Sequence, residues 1–73
     1  MNSYFVIDMS GNLREAVQKV QANSAREAVE TVTGRSDIEM GHRTSDGWQW
    51  VNVGVQRNSV GQVEVDLPLI VIG

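Results

Sequence analysis

The stretch Thr44-Ser45-Asp46-Gly47-Trp48-Gln49-Trp50 decides how the rest of the chain is read. Asp-Gly between two strand-like runs is a strong hairpin signal, because a two-residue type I′ turn needs positive φ at both central positions. The pattern predicts a hairpin of residues 37–44 with 48–56. On such a turn Ser45 faces Trp48, Arg43 faces Trp50, Gly41 faces Asn52 and Met40 faces Val53. Side chains alternate along a strand. Ile38, Met40 and His42 then share a face with Val51, Val53 and Val55. Trp48 and Trp50 share the other face with Arg43, Glu39 and Asn52. The chain has two Trp, one Tyr and one Phe, so half of its large aromatic residues stand on one side of this strand.

Working outward, residues 4–9 (YFVIDM) are strand formers, and Ser10-Gly11-Asn12 is a turn cluster. Residues 13–22 (LREAVQKVQA) fit two periods. Leu13, Ala16, Val17 and Val20 make a helical stripe, with Asn12 and Glu15 as a capping box. Ala16, Val20 and Ala22 also fall on one side of a strand, and the tight turn before them favours that reading. Residues 24–33 read as a helix. Ser24 with Glu27 is a capping box, Ala25, Ala28, Val29 and Val32 form the stripe, and Gly34 is the stop. Such a short helix needs a sheet to lie on. Residues 57–61 (RNSVG) read as a turn. Residues 62–67 (QVEVDL) read as a strand with Val63, Val65 and Leu67 inward, and Pro68 is expected to break the ladder or mark an edge.

The expectation is one α+β domain over residues 1–73, a single antiparallel sheet of four to five strands in ββαβββ order, with one helix packed on one face. One helix covers one face only. The other face then carries Trp48, Trp50, Arg43, Glu39 and Asn52 as the candidate partner-binding residues. Trp and Arg are the residues most enriched at interface hot spots, and Arg43 stacked on Trp50 would add about 0.5–1 kcal/mol. Two other coverings are open: the apolar ending Leu67 to Gly73 folding across the rings, or two chains packing these faces together.

Composition narrows the function classes. A formal net charge of −3 and six scattered basic residues argue against direct nucleic-acid binding, which normally uses a basic patch. The same balance argues against an anionic membrane surface. Without cysteine there is neither a disulfide nor a thiolate for metal or nucleophile. No apolar stretch reaches the roughly 20 residues of a membrane span, and the expected location is the cytoplasm, that of a host cell included. His42, the lone histidine, reads as a packed residue on the core side. Glu64 and Asp66 alternate on one side of a strand and read as solvated carboxylates. The glycines form no phosphate-binding pattern. No cofactor, metal or catalytic residue is expected.

The succession YFVIDMSGN, VQKVQANSAREAVETV and SDGWQWVNV, about residues 4 to 56, is similar in layout to very small phage-encoded inhibitors of bacterial defence, some type I anti-CRISPR proteins among them. That resemblance implies a non-enzymatic protein that blocks a larger bacterial complex by occupying its surface, and it assigns no residue roles. The alternative is a self-associating small protein that uses its apolar C-terminal strand.

Overall fold

In the computed structural model, which describes residues 1–11 and 13–73, Ser24 caps a helix as its sequence position predicts. Its hydroxyl accepts from the Glu27 N–H at 3.1 Å. Helix α1 (Ala25–Thr33) ends at Gly34, whose N–H still donates to the Glu30 carbonyl and whose φ of 68° turns the chain out of the helix. Arg26 donates to the carbonyls of Ser36 and Ile38 at 3.2 Å each, tying the helix to the strand that follows. Asn12, and with it the end of the expected turn and the capping box it would share with Glu15, lies outside the described residues.

The strands are β1 (Asn2–Asp8), β2 (Val17–Ala22), β3 (Ile38–Arg43), β4 (Trp48–Arg57) and β5 (Val63–Ile72). They form one antiparallel sheet in the order β2-β1-β5-β4-β3. This is the expected α+β fold in ββαβββ order, with five strands. Residues 17–22 are strand, and Phe5 pairs with Lys19 and Ile7 with Val17. The helix lies on one face. There Ala28 and Val29 meet Val6, Ala22, Val51, Val53, Leu67, Leu69 and Val71, with Ile38 and Met40 at the margin.

Two alternatives left open for β5 are decided. Its C-terminal half does not fold across the tryptophans; it is the central strand, held between β1 and β4. Nor does Pro68 end the ladder, since it pairs with Asn52 inside β5. The Pro68 carbonyl accepts from the Met9 N–H at 3.1 Å, just past the last β1 pair, Asp8 with Leu69. In an antiparallel ladder a residue's N–H and C=O point the same way, so the N–H that proline lacks would have pointed to where β1 leaves the sheet. The ladder tolerates proline at such a local edge. Beyond it β4 and β5 continue as a two-stranded ribbon to Arg57 and Val63. Val63, expected inward, is 52% exposed there.

The register of the β3–β4 hairpin also differs from the expected one. Asp46 has negative φ, and Gly47, at φ 87°, is the positive-φ residue of the turn. The Gly47 N–H donates to the Thr44 carbonyl, and the Thr44 N–H to the Trp48 carbonyl at 2.7 Å. The loop is thus three residues long, of the type I turn plus left-handed glycine kind. A bulge follows between Met40 and Arg43, so that Arg43 pairs with Gln49, Met40 with Val51, Glu39 with Asn52 and Ile38 with Val53.

The one buried charge among the described residues is Asp8, 7% exposed. Its carboxylate accepts from the Ser10 N–H at 2.9 Å, the Ser10 hydroxyl at 2.8 Å and the Leu13 N–H at 2.6 Å. Burial pushes this carboxyl upward, but the hydrogen bonds from Leu13 and Ser10 outweigh it and hold the group below the usual carboxylate range. Asp8 thereby fixes the β1–β2 loop and seats Leu13 against the core.

Candidate functional site: the uncovered face of the sheet

Alternation sends every second residue of the same strands to the face opposite the helix, and register aligns them in rows. Phe5 pairs with Lys19 on one side and Ile72 on the other, and Ile72 pairs with Trp48. One row therefore runs Lys19–Phe5–Ile72–Trp48. In the same way the next runs Val17–Ile7–Ile70–Trp50. A third, at the β3 end, contains Pro68, Asn52 and Glu39. Seven apolar side chains form a continuous band across four strands.

Among the described residues no other segment covers this band. Trp48 is 44% exposed, Trp50 48%, Phe5 44% and Val17 53%. Ile70, between Ile7 and Trp50 in its row, is only 5% exposed, so the outer side chains already shield the middle of the band. Lys19 folds its ammonium toward the Phe5 ring, 5.9 Å from the centroid. That is within the range of a cation–π contact.

Of the five predicted site residues, Trp48, Trp50, Asn52 and Glu39 share this face. Arg43 does not. Paired with Gln49, it points to the helix side, where its guanidinium donates to the Gly73 carbonyl at 3.4 Å. The expected stacking on Trp50 is replaced by a bulge in which Gly41 and His42 together oppose Trp50. A Cβ at Gly41 would lie 2.7 Å from the Trp50 carbonyl oxygen, so the bulge needs a glycine there. His42, expected on the core side, is exposed at this bulge. Sequence reasoning missed Phe5, Ile7, Val17 and Lys19, and Ile70 and Ile72 entered it only as part of the apolar C-terminal strand of the self-associating alternative. A signal for some of them was present. Residues 4–7 and 69–72 are apolar at every position, the pattern of strands that are apolar on both faces.

Elsewhere the surface is less suited to a ligand. A dent of about 10 Å³ between Tyr4, Ala25, Arg43, Gln49 and Gly73 has room for one water at most. Arg35 bridges Asp37 and Asp66, its second contact 3.3 Å long, and this ties the α1–β3 connection to β5. The Asp37 carboxyl is held below the usual range by its hydrogen bonds from Arg35. Among the described residues no cluster of His, Asp and Glu is placed to hold a metal ion, and no helix is long and apolar enough to cross a membrane.

Compared with protein-family models, curated protein sequences and solved structures, the chain matches none.

Proposed function

We propose that the chain is a non-enzymatic protein-binding module and that the uncovered sheet face is its working surface. The observation that carries this reading is the exposure of three large aromatic rings on one continuous apolar band. An exposed apolar patch of this kind lowers solubility and marks interaction sites. The chemistry of the band is that of association, for rings and aliphatic chains move no protons. The protein partner it suits presents its own apolar surface, with polar contacts at the rim for Asn52, Glu39 and Lys19. Blocking the surface of a larger bacterial complex is the mode of action that the layout of small phage-encoded inhibitors suggests, and that narrower reading rests on layout alone.

The test is capture of a binding partner by the immobilised chain, followed by comparison of variants. Replacing both Trp48 and Trp50 by alanine is expected to abolish capture, whereas Arg43→Ala, on the helix side, leaves it intact. A partner retained by the double tryptophan variant would overturn the assignment of the face.

A further inference from the structure

Resting on that reading of the face, we infer that a second copy of this chain is an occupant of the band, seated face to face as a β-sandwich. The order of residues within the rows carries the inference. Consider an in-plane two-fold axis parallel to the strands, between β1 and β5. It sets β2 of each copy over β4 of the other and β1 over β5, while position along the strand is kept. Phe5 then lies over Ile72 of the second copy and Ile7 over Ile70. Val17 lies over Trp50, and Lys19 over Trp48.

Each large side chain thereby meets a smaller or slimmer one, the condition for two sheet faces to interdigitate across a layer about 10 Å thick. The one charge in the band meets an aromatic ring. Lys19 already leans over Phe5, and in the pair its ammonium lies between that ring and Trp48 of the second copy, where both quadrupoles favour it. An axis perpendicular to the strands would instead set β4 over β4 and crowd the tryptophans of the two copies together. Glu39 and Asn52, in the third row, stay at the rim.

The size of the band bounds the affinity. Three half-exposed rings at 150–250 Å² each, with the aliphatic neighbours, offer roughly 500 Å² per copy. Two copies would bury about 1,000 Å², the lower limit of a specific interface, where pairs are weak and reversible, and a Kd of the order of micromolar is the expectation. Such a pair shields the rings while the chain is concentrated and releases them to a competing partner on dilution.

Sedimentation equilibrium on the full chain tests this. The wild type is expected to dimerise reversibly. Val17→Trp and Trp50→Val should each weaken the dimer at least about tenfold, and the double variant should recover most of the loss, because ring and valine have exchanged places across the axis. Lys19→Glu, at an exposed position, should weaken it without lowering the melting temperature of the dilute, monomeric chain. A double variant weaker than either single one would overturn the pairing. So would a wild type that remains monomeric at about 100 μM, far above the expected micromolar Kd. In that case acrylamide quenching separates the two readings. Freely quenched tryptophans would leave the docking face standing without self-association, whereas protected tryptophans in a monomer would remove both.

Discussion

Strand β4 carries two surfaces of similar hydrophobicity and opposite fate. Val51 and Val53 are fully buried under the helix, while Trp48 and Trp50, just before them on the same strand and facing the other way, are almost half exposed. The difference lies in what the rest of the chain covers, not in the side chains. A helix of nine residues can roof one face of a five-stranded sheet, and here it roofs the face of valines and leucines. The opposite face carries a continuous apolar band, yet among the described residues nothing forms a second layer over it. In a domain this small, each region left uncovered is a large share of the surface.

The covered face should be the sensitive one. Leu69 is its largest fully buried side chain, in the central strand. Leu69→Ala is expected to cost about 3–5 kcal/mol, transfer and cavity terms together. In a domain whose whole stability is of that order, the variant should be largely unfolded at room temperature. Urea unfolding followed by circular dichroism measures this, and a loss below about 1 kcal/mol would mean the covered face is not the core.

Asp8 anchors the loop that brings Leu13 to the covered side. Its folded pKa is depressed, so the folded state favours the ionised form. The stabilisation is fully present above the unfolded pKa of about 3.9 and is lost as pH falls from there through the lower folded value. Asp8→Ala should cost about 2–3 kcal/mol at neutral pH, since it leaves charged-acceptor hydrogen bonds unmade, and should flatten the acid limb of the stability curve. An unchanged acid limb would assign acid sensitivity to other carboxylates.

The roof itself can be loosened through its cap. Ser24→Ala removes the acceptor for the Glu27 N–H and is expected to cost about 1 kcal/mol. Amide exchange should then rise in residues 25–33 before it rises in β5. Equal exchange throughout would mean that helix and sheet open only together.

How much of this was legible in the sequence depends on parity. The capping residues and the stripe of α1 carry their own local signals, and both ends of the helix fell where they pointed. The β3–β4 register did not, because Asp46-Gly47 fits a two-residue or a three-residue loop, and only the second leaves Asp46 at negative φ. A one-residue slip turns side chains to the opposite face, and Arg43 lies beyond one slip, hence its place on the helix side. The bulge at Gly41–His42 adds a second slip and restores parity. Ile38 and Met40 therefore lie on the expected face although their partners are two residues away from the expected ones. The glycine inside a strand pattern was the available sign of that bulge. The central position of β5 was harder to read, because Pro68 argued for an edge and only the pairing with β1 shows why a proline fits there.

The smallest expected effect on stability is on the uncovered face. Trp50→Ala removes a ring that is already half in water, so it takes few core contacts with it; its main cost is to expose Ile70, now 5% accessible. At about 25 cal/mol per Å² of apolar surface, uncovering a few tens of Å² of Ile70 costs about 1 kcal/mol. A buried tryptophan behaves differently, losing about 3–5 kcal/mol on truncation to alanine. Thermal unfolding at low protein concentration, where no second copy contributes, should therefore show a shift of only a few degrees, against the collapse expected for Leu69→Ala. If the two variants lose comparable stability under those conditions, Trp50 belongs to the core and the two faces of β4 are alike. If Trp50→Ala is nearly neutral when dilute but lowers the melting temperature when concentrated, the ring stabilises an assembly of chains and not the single chain.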